Sequence, residues 1–248
     1  MSRTAAETRG SELNMATAKP LRPVKREPAA SVIAARLTEA IMDGGLAPGS
    51  QLGEAELAGQ LGVSRGPLRE ALQRLVQQGI AVSIPHRGVF VTRLDGDDVR
   101  DIYLARAAME SAACRLVLRH DPQGTAARLA KVHRSMAAAA DRGRPAALSA
   151  ADMELHQILV EESGSPRLRR IAQTLFVETR MCLSALADDH PDPYALVEEH
   201  AALIEALREE DEERLLTLLD DHMQDAVQRL TGGARHGEPA QDTAAAAG

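Results

Sequence analysis

Between residues 52 and 91 the apolar positions change their period once. Leu57 and Leu61 mark one side of a short helix over about 54–61. Leu68, Ala71, Leu72 and Leu75 then recur three and four places apart, the spacing of a helix with one buried face. After Gly79 the spacing shortens, and Ala81–Ile84 and Val89–Thr92 read as strands around the turn Pro85-His86-Arg87-Gly88. Gly62 allows a sharp turn between the two helices. Ser64 is a natural N-cap for the second, and Pro67 is tolerated in a first turn, where backbone donors lack partners. Upstream, Ser31 stands where it would cap a helix running to about Asp43. Val32, Ala35, Leu37, Ile41 and Met42 would be its apolar contacts and Gly44-Gly45 its stop. Three helices followed by a hairpin predict a winged helix-turn-helix, which places its third helix in the DNA major groove.

Beyond a linker at Arg93–Asp97 the period is helical almost throughout. Helices are predicted over about 98–119, 124–142, 146–163, 166–187, 193–209 and 211–231. Asp121-Pro122, Gly143, Pro145, Ser165-Pro166, Pro191 and Pro193 separate them. Such short connections predict an antiparallel bundle. The fold class is therefore mainly α: a winged module over 29–94, then an all-helical bundle over 98–231. Residues 1–28 and 232–248 are polar and aperiodic, and are expected to be a disordered leader and tail.

Composition changes the picture in one respect. The whole chain carries a net charge of -7, an unpromising balance for binding nucleic acid. Residues 1–94, however, hold 12 Lys and Arg against 8 Asp and Glu, whereas the remainder holds 17 against 28. A basic module joined to an acidic one is the result. No apolar run reaches the roughly 18 residues of a membrane helix, and the N-terminus has no secretory core. Cys114 and Cys182 form no redox or zinc motif and read as reduced core residues. A cytoplasmic protein with no membrane partner is expected.

Arg65, Arg69 and Gln73 lie one helical turn apart, along an edge separate from the apolar stripe. An Arg fork matches the two acceptors that guanine shows in the major groove. Ser64 and the helix start can meet phosphate through free N–H groups. His86 and Arg87 can reach the backbone or the minor groove, and Gly88 allows close approach. The run Pro48-Gly49, Leu52, Leu57-Ala58, Leu61-Gly62-Val63-Ser64-Arg65-Gly66-Pro67-Leu68-Arg69-Glu70-Ala71-Leu72, Leu75, Gly79, Gly88 closely resembles the GntR family of bacterial transcription regulators. Some relatives carry a base-reading arginine where this chain has Glu54-Ala55-Glu56. Those acidic residues are expected to point away from the phosphates.

A second constellation lies in the bundle. Asp152 and His156 share one helix face at i and i+4. His200 falls on the stripe Val197, Leu203, Ile204, Leu207, and His222 on the stripe Leu215, Leu218, Leu219, Ala226, Leu230. A single inward histidine is more often a hydrogen-bonded core residue. Three with a carboxylate on three helices could hold one divalent ion, with zinc or nickel favoured and manganese or iron compatible. His86, His120, His133, His190 and His236 stand outside this set.

Residues 98–231 resemble the FadR-type C-terminal domain, called FCD, of the same family. The resemblance rests on Leu104-Ala105-Arg106, Glu110, Asp152, His156, Glu199-His200 and His222. It implies a divalent metal on Asp152, His156, His200 and His222, with a small organic acid beside or on it. Arg106 lies on the stripe Val99, Tyr103, Glu110, Ala113, Val117. It is read either as an internal ion pair with Glu110 or as a clamp for the acid's carboxylate; Arg180 is a weaker candidate. Leu155 and Ser165 depart from the usual pattern near the pocket. The expected function is a homodimeric regulator, most often a repressor, that binds a short inverted repeat of double-stranded DNA and responds to a small carboxylate. The alternatives are a metal-dependent hydrolase and a sensor of the metal itself.

Overall fold

A computed structural model of the chain describes residues 28–185 and 192–232. The expected leader and tail, apart from Pro28 and Gly232, lie outside the described residues, as do His190 and His236. The winged module comprises α1 (Ala29–Met42), α2 (Glu54–Leu61), α3 (Arg65–Gln77), β1 (Ala81–Ile84) and β2 (Gly88–Val91). The bundle comprises α4 (Gly96–His120), α5 (Pro122–Asp141), α6 (Pro145–Glu162), α7 (Pro166–Ala185), α8 (Pro193–Arg208) and α9 (Glu212–Gly232). The mainly helical class and the two-part order agree with the sequence reading.

The winged module is built on one aliphatic core. Ile33, Leu37 and Ile41 of α1 meet Leu57 of α2 and Leu68, Leu72 and Leu75 of α3, with Ile80 and Val91 closing the hairpin side. Gly62 ends α2 at φ 64°, a left-handed conformation that costs glycine nothing, and so turns the chain sharply into α3. The hairpin pairs Ala81 with Val91 and Ile84 with Gly88. A third segment joins its edge, because Leu52 N–H donates to Val89 at 2.8 Å and Val91 N–H donates to Ser50 at 2.9 Å.

Two expectations for α1 are corrected. The helix begins at Ala29 after Pro28, so Ser31 lies inside its first turn and caps nothing; its hydroxyl accepts from Arg74 at 2.6 Å. The buried face is Ala30, Ile33, Ala34, Leu37 and Ile41, which turns Val32 and Ala35 to the outside. Proline fixes φ and lacks an N–H, which suits a helix entry, and the cap position moves three residues earlier, from Ser31 to Pro28. The linker is also shorter than expected. Asp95 accepts from the N–H groups of Asp97 and Asp98, and Asp98 returns a bond to Asp95 N–H. This reciprocal cap starts α4 at Gly96.

In the bundle α4 packs against α9, α7 and α6, and α5 against α6 and α8. Its core is leucine, alanine and methionine with Val99, Tyr103 and Val117 of α4. The modules are joined along α7. Met181 is buried in the core of the winged module, Val177 packs beside it, and Ser184 Oγ donates to Met42 O at 2.9 Å.

Candidate functional site

α3 separates its buried stripe from the four candidate DNA contacts. Leu68, Ala71, Leu72 and Leu75 are buried, which leaves Ser64, Arg65, Arg69 and Gln73 on the exposed side. Ser64 occupies the N-cap position but its hydroxyl makes no capping bond, so this end of α3 keeps free donors. At the wing, His86 (φ 62°), Arg87 and Gly88 (φ 106°) are exposed. A side chain at Gly88 would come within 3.1 Å of Gln51 Nε2, which also donates to Arg87 O at 2.7 Å. Glu54 is turned to the recognition helix, where Arg69 Nε donates to Glu54 Oε2 at 2.7 Å. Glu56 is occupied along its own helix, accepting from Gln60 at 3.2 Å.

The second site is inside the bundle. The stripes that carry His200 and His222 bring them to Asp152 and His156 of α6. One ligand atom from each of the four lies within 4.8 Å of the others. The histidines are buried and Asp152 is 13% exposed. Each imidazole has its Nδ1 held from behind. His156 Nδ1 meets Glu110 Oε2 at 2.5 Å, His200 Nδ1 meets Leu196 O at 2.8 Å, and His222 Nδ1 meets Glu199 Oε2 at 2.8 Å. A carboxylate and a carbonyl only accept, so each Nδ1 donates its hydrogen. In the neutral ring that leaves a lone pair on every Nε2, the form that binds metal.

The front of the cluster is short of hydrogens. His156 Nε2 and His222 Nε2 are 3.2 Å apart, two lone pairs turned on each other. Asp152 Oδ1 and His200 Nε2 approach to 3.0 Å but lack hydrogen-bond alignment, and both are buried without a partner among the described residues. Buried acceptors in this arrangement are costly unless a cation sits between them. The four residues therefore fit a divalent ion.

Behind the ligands runs a buried charge chain. Arg106, 2% exposed, gives Nε to Glu110 Oε1 at 2.9 Å, and Glu110 holds His156 with its other oxygen. Burial opposes ionisation of Glu110, but His156 and Arg106 overcome it and draw its pKa down to about 2. Burial lowers His222 to about 4 against the pull of Glu199, and neighbouring His200 and His156 reinforce the lowering. His222 is thus neutral near pH 7. Burial lowers His200 too, but Asp152 outweighs it and raises the ring's pKa. Arg106 Nη2 is buried without a partner among the described residues. Its guanidinium lies 5.0 Å from the Tyr103 ring and 5.5 Å from Phe176.

In the sequence Glu110 stands as a partner for Arg106 and, like Glu199, as part of the family resemblance, with no histidine assigned to either. The structure gives each a histidine to orient. A carboxylate directly before His200 was the one available signal for Glu199. Arg180 is exposed on α7 and is not brought to the cluster. His133 bonds Val197 O at 2.9 Å, outside the four-residue set. A small apolar cavity of about 20 Å³ lies beside His156, lined by Cys114, Leu155 and Leu219 among others.

A winged helix joined to an all-helical bundle with a buried His and Asp cluster is the architecture of a transcriptional regulator. The chain belongs to the GntR family of bacterial regulatory proteins: that family's model matches residues 29–91, and the FCD domain matches residues 101–225. It is 30% identical to the helix-turn-helix transcriptional regulator BphR of Paraburkholderia xenovorans, over 77% of this chain and 81% of that one. It is 24% identical to the transcriptional repressor RspR of Escherichia coli, over 73% of this chain and 79% of that one. A solved GntR regulator from Rhodococcus sp. RHA1 covers 83% of this chain and 99% of its own, at 27% identity and a TM-score of 0.71. Among the described residues no helix is long and apolar enough to cross a membrane.

Proposed function

We propose that this regulator is a metabolite-responsive repressor working in the cytoplasm as a homodimer. Residues 29–94 would read one half of a short inverted repeat and residues 98–231 would hold the ligand. Arg65, Arg69 and Gln73 contact base edges, Ser64 the phosphates, and His86, Arg87 and Gly88 the flanking backbone or minor groove.

In the bundle, Asp152, His156, His200 and His222 are the ligands for a divalent ion, with zinc or nickel favoured by donor type and manganese or iron compatible. The observation that carries this reading is the set of three Nε2 atoms facing Asp152, each imidazole fixed through its Nδ1. Bound there, the ion supplies a fixed charge to which a small carboxylate can attach. Arg106 serves both of its expected roles. Its Nε positions Glu110, and its buried Nη2 keeps one donor for the effector's carboxylate. Arg180, exposed, is left out of this site.

The test is elemental analysis of protein purified without chelator, followed by operator titration with metal, chelator and candidate organic acids. One divalent ion per chain and an acid-dependent change in DNA affinity support the reading. A response to metal alone would make the ion the signal. Turnover of an ester or amide substrate would make the cluster an enzyme's.

A further inference from the structure

Among the described residues, α4 has an outward face that no other element covers. Asp97, Asp101, Leu104, Ala108, Ala112, Arg115 and Arg119 share it at helical spacing, opposite the buried stripe of Val99, Ile102 and Val117. Between Asp101 and Arg115 the helix has two charged residues, Arg106 and Glu110, and both turn inward. The middle of the face is thus apolar and mostly small, with Leu104 70% exposed. A solvated helix face in an acidic domain is normally filled with charges.

The ends of the face carry opposite signs. Asp97 and Asp101 lie at the N-terminal end, Arg115 and Arg119 at the other. Among the described residues, Asp101 and Arg119 make no ion pair. Asp97 pairs with Arg100 and Arg115 with Glu212, but those partners are exposed, and such pairs exchange at little cost. The acidic end is also crowded. Burial raises the pKa of Glu178 of α7, and Asp98 and Asp101 raise it further.

An antiparallel copy of the same helix satisfies all of this at once. With Ala108 opposite Ala108, Asp97 faces Arg119, Asp101 faces Arg115, and Leu104 faces Ala112. Each pairing occurs twice, as a two-fold contact requires. Alanines at the centre let two helices approach at the short end of the usual 8–10 Å spacing. We propose that this face of α4 is the docking surface for a second copy of the chain, antiparallel and with Ala108 on the two-fold axis. The proposal rests on the homodimer reading above and gives it a face and a register.

The experiment uses the full chain, with mass measured by sedimentation equilibrium at micromolar concentration. Ala108→Arg and Ala108→Glu each set like charges against each other at the axis, and each is expected to weaken self-association about tenfold or more. Mixing the two variants is expected to restore a dimer, because Arg then meets Glu. Circular dichroism checks that both remain helical. An Ala108→Cys chain is expected to cross-link to its own copy under mild oxidation, while buried Cys114 and Cys182 do not react. A monomeric wild type would sink the homodimer reading and this proposal with it. A dimeric wild type whose charged variants stay dimeric, or whose cysteine variant stays uncrosslinked, overturns the face alone. Charged variants that dissociate but do not recover on mixing overturn the register.

Discussion

His156 Nδ1 and Glu110 Oε2 stand 2.5 Å apart although the residues are 46 positions apart in the chain. The contact ties the first helix of the bundle to the third and fixes which imidazole nitrogen faces the cluster. Replacing Glu110 by Gln keeps an acceptor but removes the charge. Glu110→Gln is expected to weaken divalent metal binding by about 10- to 100-fold, the usual cost of losing a partner behind a ligand. Competition with a chelator of known affinity measures it. Unchanged affinity would make Glu110 a partner of Arg106 only.

Glu110→Ala should behave differently. It leaves the Arg106 guanidinium buried and uncompensated, which typically costs about 3–5 kcal/mol. Denaturant unfolding of the single variant, beside Arg106→Met/Glu110→Met, reads this out. The double variant is expected to recover much of the loss, because an apolar pair strands no charge. Equal losses in both would show that the pair stabilises as a pair.

Loss of one ligand and loss of the metal should be equivalent. Chelation of wild type is expected to lower its melting temperature, since metal affinity is coupled to folding. His200→Ala should start at the lower value and respond to neither chelator nor added ion. A wild type indifferent to both would leave the three histidines as core residues.

On the DNA side, Arg69→Ala should cost about 1–3 kcal/mol of discrimination at one base position. Glu54→Ala should strengthen binding to all sequences, because it removes a negative charge near phosphates, while lowering the ratio of specific to random binding. Glu54 holds Arg69 by Nε and leaves the two terminal nitrogens of the fork for a guanine. Fluorescence anisotropy on a selected operator and on scrambled DNA, at matched salt, separates the two effects. A Glu54→Ala protein with unchanged specificity ratio would show that the pair does not orient Arg69.

The winged module was legible because each local signal agreed with the next. The apolar spacing of α3, the glycine between helices and the turn at 85–88 all demanded one topology. The entry of α1 was less legible, because Ser31 is a commoner marker of a helix start than Pro28, which holds the cap position. The cap at Asp95 was missed because its reciprocal partner, Asp98, is an aspartate where glutamate or glutamine is the usual signature. In the bundle, i and i+4 spacing revealed Asp152 with His156, and the stripes carried His200 and His222 inward. The carboxylates behind the histidines were harder to see. Nothing in local spacing says that Glu110 and His156 meet, because that contact depends on how α4 and α6 pack.

Met181 and Cys182 are neighbours in the chain, yet Met181 is buried in the core of the winged module and Cys182 in that of the bundle. Two adjacent side chains on one helix thus serve opposite sides of the junction, and the boundary drawn at residue 94 is not where the reader's packing ends. A chimera that exchanges only residues 28–94 for another reader would meet a thioether shaped for a different partner. To transplant this reader intact, the graft has to carry residue 181 with it.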